Sequence, residues 1–444
     1  MEVTGGLGWK TDARLDLLAR LFSRLQGRAR GDAWKAAAEV CSTHPDLAPA
    51  YWKLMDVWED FGHADIADAV AAWEDAGWAE ARLLSLPPPG RRQAIAEDAE
   101  YQTRELALRL LATDERLWHE QPDATLEVSE LAVLVAEAAA RRKGAHLHLL
   151  GRRTVRRGLS EIAVGIRARA HHLNGHRIRG DFASVRRLIG PLAELTADPL
   201  GKGFAEARWL LGTAFIDLEQ WDRADAALLD AIREYRRLGK TFEAKRARMA
   251  RVMLLRASGA EPRRYLTAAM RVFKSLTEKD WLRDPAFCAD CRRNLPLYLL
   301  EADEVVHSWD LWQSIPPEKL PAPEARRVGL GGIIAFRRGK PLEAEAGLRT
   351  AIERFQSLDM PYDSALFLLY LADLLLALGR LFEGEQTLVR ALELFQGCQL
   401  RSHVAAALEQ LEQALRRKQG LRRAIERAIA RASGIVQRHD VGTV

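Results

Sequence analysis

The stretch GKPLEAEAGLRTAIERF, from Gly339 to Phe355, lies over GRLFEGEQTLVRALELF, from Gly379 to Phe395, without a gap and at an offset of 40 residues. Gly339 matches Gly379, Glu343 matches Glu383, Leu348 matches Leu388, Ala351 matches Ala391 and Phe355 matches Phe395. Three periods upstream, EQWDRADAALLDAIREY places Asp225, Leu228, Ala231 and Tyr235 at the positions of Glu345, Leu348, Ala351 and Phe355. Within each copy the apolar and small residues recur at spacings of three and four, which predicts a helix with one buried face. The glycine ahead of each copy stands where a preceding helix would need a left-handed cap. Each unit is therefore expected to be a helical hairpin, and the chain an array of them.

Composition agrees. Only 7% of the 444 residues are aromatic, and alanine, leucine, arginine and glutamate dominate. Runs of alternating β-branched residues are hard to find, which favours helix over strand. The expected fold class is all-α. No run of about 18 uncharged apolar residues occurs, which argues against a membrane-spanning helix, and the N-terminus lacks the layout of a secretory signal. Four cysteines, Cys41, Cys288, Cys291 and Cys398, are too few for a disulfide framework, so a reducing cytoplasm is the simplest setting. Only 12 of the 66 basic residues are lysine, a bias expected of a GC-rich bacterial genome.

Ahead of each turn lies a partner helix, ARWLLGTAFIDL, RRVGLGGIIAF or ALFLLYLADLLLAL, with a small residue at one place in each: Gly212, Gly332 and Ala372. The second helices carry Ala224, Leu228 and Ala231, then Ala344, Leu348 and Ala351, then Gly384, Leu388 and Ala391. This small-residue pattern around a turn glycine resembles the tetratricopeptide repeat superfamily, as in bacterial signalling proteins with longer units. LNGHRIRGDFASVRRLIGPLAEL, with Gly180 at the turn, resembles a further copy. The resemblance covers about six units from Gly151 to Arg416, roughly 60% of the chain. It implies an α-solenoid that presents a long concave surface to a protein or peptide.

Four segments are expected: an acidic, tryptophan-rich helical domain over residues 1–84, a degenerate opening repeat over 91–140, the solenoid over 151–416, and a basic capping helix and tail over 417–444. The boundary after residue 84 rests on SLPPPGRR, where three prolines interrupt any helix. IPPEKLPAPE, from Ile315 to Glu324, reads as a loop between repeats. In GLRRAIERAIARASGIVQ, Leu421, Ile425, Ile429, Ala432 and Val436 form one apolar stripe opposite arginines, as expected of a helix that caps a solenoid.

Charge is unevenly spread. Met1 to Ala140 holds 14 basic and 25 acidic residues, Arg141 to Arg187 holds 13 against two, and Arg416 to Arg438 holds eight against one. A basic segment can face solvent, pair with an acidic surface of the same or another protein, or bind phosphate backbones through counterion release. Arg152, Arg153, Arg156 and Arg157 are the candidates for an acidic partner or nucleic acid.

Common signatures of chemistry are missing. CADC, Cys288 and Cys291, has the spacing of half a zinc site, but no second pair follows and the cysteines fit a helix interior. His172 and His176 stand four apart on a helix, without the glutamate of a zinc protease motif. GLGG, Gly329 to Gly332, falls inside a repeat helix and has no Gly-Lys-Ser/Thr after it. No cofactor, metal or catalytic residue is expected. The sequence reads as a non-enzymatic adaptor in a regulatory, signalling or defence complex, with exposed first-helix residues such as Arg208, Arg326 and Tyr370 as partner contacts. A nucleic-acid binder or transcription regulator using the arginine clusters, and a switch that senses a peptide or small ligand, are the alternatives.

Overall fold

The computed structural model describes residues 66–120, 122–143, 159–179, 181–196, 202–317, 321–396, 402–417 and 420–442. Among these residues there are nineteen α-helices and no strand. In chain order they are α1 (Ile66–Ser85), α2 (Pro88–Glu97), α3 (Arg104–Glu120), α4 (Pro122–Arg142), α5 (Leu159–Ile178), α6 (Phe182–Leu195) and α7 (Lys202–Asp217). Next come α8 (Trp221–Arg237), α9 (Thr241–Ala257), α10 (Pro262–Lys274), α11 (Glu278–Arg283), α12 (Pro285–Glu301) and α13 (Val305–Gln313). The last are α14 (Pro321–Arg337), α15 (Pro341–Ser357), α16 (Pro361–Ala377), α17 (Leu381–Gln396), α18 (Ser402–Arg417) and α19 (Leu421–Gly442). No described helix is long and apolar enough to cross a membrane.

The period of 40 has a simple origin. Helices α8, α9, α14, α15 and α16 are each 17 residues long, and three-residue turns join α8 to α9, α14 to α15 and α15 to α16. Two such halves make one unit. The backbone enters the left-handed region at Glu219, Gly239 and Gly259, and again at Gly339, Asp359 and Gly379, every 20 residues. At each turn the same bonds close the helix. After α8 the Gly239 amide donates to the Arg236 carbonyl at 3.0 Å and the Lys240 amide to the Tyr235 carbonyl at 2.8 Å, the Schellman arrangement. Lys240 is also the N-cap of α9, and its own carbonyl accepts from the Ala244 amide at 3.1 Å. One residue thus ends one helix and begins the next.

Between Gly259 and Gly339, which stand two periods apart, the middle turn falls at Asp303, four residues late. There α11 is inserted and α13 is cut to nine residues, which is why the motif fades from the sequence. Glu219, Asp303 and Asp359 adopt left-handed conformations that L side chains reach at a cost of roughly 1–2 kcal/mol. Relief of that strain, less about 0.5–1 kcal/mol for the extra freedom of unfolded glycine, makes Asp359→Gly stabilising by roughly 0.5–1 kcal/mol. A rise in the urea midpoint checks this; a fall would mean that the aspartate side chain holds the turn.

The chain divides into two compact units. The first comprises residues 1–175, 191–207 and 277–285, and the second 176–190, 208–276 and 286–444. In the first, Leu83, Ile95, Leu106, Leu110, Leu131 and Val135 belong to one core, so residues on both sides of the proline run pack together. The run breaks α1 as expected, yet α2 opens inside it at Pro88, because proline at the first helical position lacks only a donor that would be idle. Beside this core the Arg109 Nε donates to buried Glu80 at 2.8 Å, the Thr113 hydroxyl donates to the same carboxylate at 2.6 Å, and the guanidinium covers the Trp73 ring at 4.1 Å.

A second buried network joins α3, α5 and α7 within this unit. His171 bonds Asp114 through Nδ1 at 2.8 Å and Glu206 through Nε2 at 2.7 Å, and Arg167 pairs with the other Glu206 oxygen at 2.7 Å. Burial alone would push the imidazole down, but the two carboxylates overcome it and raise the pKa to about 9. The folded value lies above the ordinary histidine value of 6.5, so this stabilisation is complete below that pH and is lost as pH rises through 9. Urea midpoints should therefore fall between pH 7 and 10 in the wild type and more shallowly in His171→Gln. Parallel curves would show that the imidazole is neutral throughout.

In the second unit α14 to α19 share one continuous core built on Leu348, Phe355, Leu371, Leu388, Phe395 and Ile425. Gly212 and Gly332 lie against their second helices as expected: a Cβ at Gly212 would stand 2.6 Å from Leu228 Cγ. The end of IPPEKLPAPE is not loop, for α14 begins at Pro321, again with proline in the first turn. α19 buries Ala424, Ile425, Ala428 and Ala432 in the solenoid core and contacts α16, α18 and α9. The Tyr362 hydroxyl donates to the Ala432 carbonyl at 2.8 Å, and Arg422 reaches Asp373 at 3.3 Å, so α19 runs antiparallel to α16.

Candidate functional site

The first helices of a solenoid of this kind are expected to be apolar where they pack. α12 departs from that rule. Phe287, Cys288, Cys291, Leu295 and Leu300 are buried in the ordinary way. Asp290, Asn294, Tyr298 and Glu301, spaced by four, four and three, form a second stripe of polar groups on the same helix. Asp290, Asn294 and Tyr298 are all buried. Asp290 is paired with Arg293 in the next turn. The Asn294 side-chain nitrogen is buried and donates no hydrogen bond among the described residues.

At the end of this stripe the Glu301 carboxylate collects three donors from elsewhere in the second unit. The Arg256 Nε, in the last turn of α9, lies 2.9 Å from Oε2, its Nη2 bonds Oε1, and the Tyr265 hydroxyl of α10 donates to Oε2 at 2.8 Å. The Arg256 side chain is 10% exposed and that of Glu301 25%, so the pair is largely desolvated. Burial would lower the Arg256 pKa, yet Glu301 outweighs it and the guanidinium is held more firmly protonated than usual. Burial first, and the Glu301 charge second, push the Tyr265 hydroxyl well above its ordinary range. The Tyr265 and Tyr298 rings meet edge to face at 5.7 Å. Tyr370 of α16 lies close enough to act on the Arg256 charge, and its ring centroid is 6.0 Å from that of Phe367. Helices α9, α10, α12 and α16 thus meet around one polar cluster.

Of the residues expected to contact a partner, half-buried Tyr370 joins this cluster. Arg326 does not stand free. Its side chain is 15% exposed and pairs with buried Asp363 at 3.1 Å, tying α14 to α16. Burial raises the Asp363 pKa against the pull of that arginine. Arg208 is half-buried beside Glu234, whose pKa is lowered first by Arg237 and then, more weakly, by Arg208 itself. Arg152, Arg153, Arg156 and Arg157 lie outside the described residues. Elsewhere in that basic segment Arg169 is paired with Glu137 at 2.8 Å and Arg177 with Asp217 at 3.2 Å.

The metal-like spacings do not converge. Cys288 and Cys291 are buried and not joined in a disulfide. The His172 Nδ1 lies 3.3 Å from the Ser129 hydroxyl, whereas the His176 Nδ1 lies 2.9 Å from Asp181. Among the described residues no three His, Cys, Asp or Glu side chains are placed to hold a metal ion. Neither a known protein family nor a curated protein matches the sequence. Among solved structures the chain is similar to the Rap conjugation gene regulator of the plasmid pLS20 in complex with the Phr* peptide, at 12% identity and a TM-score of 0.43, over 76% of this chain and 95% of that one.

Proposed function

We propose that this protein is a non-catalytic, tetratricopeptide-like adaptor of a regulatory, signalling or defence complex, acting in the cytoplasm. In this reading it holds a peptide or protein segment against the first helices of the second unit. The observation that carries the reading is the polar stripe of α12: Asn294, whose buried side-chain nitrogen finds no acceptor among the described residues, and quarter-exposed Glu301 interrupt an otherwise apolar helix, and such groups favour a partner from outside. An extended peptide offers a carbonyl acceptor at every residue, the chemistry that two amide hydrogens would take. Glu301, Arg256 and Tyr370 lie along or across from the same stripe and supply charge and hydroxyl contacts for selectivity.

The test begins with the tagged protein retrieved from its native lysate, with nuclease as a control and mass spectrometry as readout. A stoichiometric protein that survives nuclease is expected; recovery of nucleic acid instead would sink the adaptor reading. Asn294→Leu is then expected to weaken retention of that partner about tenfold, the equivalent of one hydrogen bond of about 1.4 kcal/mol. The same change removes an unsatisfied polar group, so thermal stability should hold or rise. Retention unchanged in Asn294→Leu would place the binding surface elsewhere.

A further inference from the structure

Helix α10 differs from the other second helices in holding no carboxylate. Elsewhere the two signs are mixed: α8 sets Asp222, Asp225, Asp230 and Glu234 among its arginines, and α15 and α17 each carry three glutamates. α10, PRRYLTAAMRVFK, carries Arg263, Arg264, Arg271 and Lys274 and no acid. The four cations fall within about 100° of one another around the helix, with exposed Thr267 between them. Tyr265, Ala269 and Val272 are buried on the opposite side. All four cations are exposed, and none of them has an acidic partner among the described residues.

Neither packing nor helix stability accounts for them. The opposite side of α10 does the packing. Arg263 and Arg264 stand in the first turn, the positive end of the helix, where a cation is unfavourable. Arg271 and Lys274 suit the other end, but three residues apart they repel each other. The want of anions extends into the hairpin before α10. Residues 233–274 hold 13 basic residues against Glu234, Glu243 and Glu261, and burial together with neighbouring Arg236 lowers the Arg248 pKa. A surplus of one sign on a packed helix is a surface to be neutralised from outside.

We propose that the outer face of α10 docks an acidic helix of a protein partner, whose carboxylates meet Arg263, Arg264, Arg271 and Lys274. The stripe is short and straight, roughly 17 Å from residue 263 to residue 274 at 1.5 Å per residue. Exposed Glu261, the N-cap of α10, closes one end. A partner helix of about three turns, with glutamates every three or four residues on one face, matches that length and spacing. A nucleic-acid duplex fits less well. It is a rod with a charge about every 1.7 Å, which would run on past the stripe and over Glu261. The face also offers no aromatic ring for stacking and no side-chain amide for a base edge. This surface lies on a second helix and is independent of the first-helix site proposed above, so the protein would hold two partners at once.

Fluorescence anisotropy with the full chain at low salt is the test, the probe being a labelled alanine-based helical peptide with glutamates at i, i+4, i+7 and i+11. Saturable binding is expected, weakening as salt is raised to about 0.15 M. Arg264→Glu combined with Arg271→Glu should weaken it at least about tenfold, since both contacts turn repulsive. Both substituted residues are exposed, so circular dichroism and the thermal midpoint of the variant should match the wild type. A peptide of the same composition with its glutamates spread round the helix should bind at least about threefold more weakly. No binding at low salt, equal binding by the double variant, or equal binding of the two peptides would overturn the proposal. So would a mixed-sequence DNA duplex that binds more tightly than the peptide and is released by the same two substitutions, a result that would assign the face to nucleic acid.

Discussion

Gly332→Leu is expected to cost more than about 3 kcal/mol of stability, because it overfills a site where even one methyl has no room. A Cβ at Gly332 would stand 2.9 Å from the carbonyl oxygen of Ala344 and 3.0 Å from the amide nitrogen of Leu348. Both are main-chain atoms inside α15 and cannot swing away as the tip of a side chain would. From the other helix, a Cβ at Gly347 would stand 3.1 Å from the Cα of Gly332. The two glycines meet where α14 crosses α15, and any side chain there pushes the helices apart along the whole hairpin. Gly332→Ala should cost about 1–3 kcal/mol by the same mechanism. Gly77 in α1 is the control: a Cβ there would come no nearer than 3.5 Å to the Arg109 guanidinium, an ordinary contact, and alanine should gain about 0.5–1 kcal/mol in the helix interior. Urea unfolding of the three variants measures all of this, and equal midpoints for Gly332→Ala and Gly77→Ala would refute the close crossing.

Glu301→Ala is expected to cost about 3–5 kcal/mol, because it strands the Arg256 guanidinium in a site that is nine-tenths closed to water. The Tyr265 hydroxyl loses its acceptor in the same step. Replacing both charges, as Arg256→Met with Glu301→Leu, should be nearly neutral, since apolar side chains of similar volume carry no desolvation penalty. The double-mutant cycle therefore separates a buried pair from a surface one. If the two single variants and the double variant all unfold within about 0.5 kcal/mol of the wild type, the pair is solvated and contributes little. In Glu301→Ala the Tyr265 phenol should also titrate lower than in the wild type, an optical change independent of stability.

The repeat was open to reading because its requirements are local. Gly339 and Gly379 mark left-handed turns, and the apolar spacing that follows them marks the buried face of a helix. The half-period stayed hidden in the last two units because Asp359, midway between Gly339 and Gly379, makes the same turn without glycine, held by the backbone bonds of the Schellman arrangement. The site was harder to see. Glu301 is 45 residues from Arg256 and 36 from Tyr265, and no spacing rule links positions on helices that meet only when the array coils. The same holds for His171, whose carboxylates lie 57 residues before it and 35 after it. A signal was nevertheless present on α12, where Asp290, Asn294, Tyr298 and Glu301 interrupt a core helix at helical spacing. An exposed Arg326 is what its own helix suggests, but its partner, Asp363, comes from the next first helix and draws the side chain inward.

A turn in which one residue closes a helix and opens the next leaves no slack, and this limits how the chain can lengthen or shorten. One residue added within a 17-residue helix rotates everything after it by about 100°, carrying the buried face round towards water. Four residues come close to one full turn and restore it. The displaced Asp303 turn is late by four residues and the offset is made up before Gly339, so the faces on either side stay in phase. Insertions and deletions in this array should therefore be tolerated in steps of about a helical turn, or of a whole hairpin, and rejected in steps of one or two.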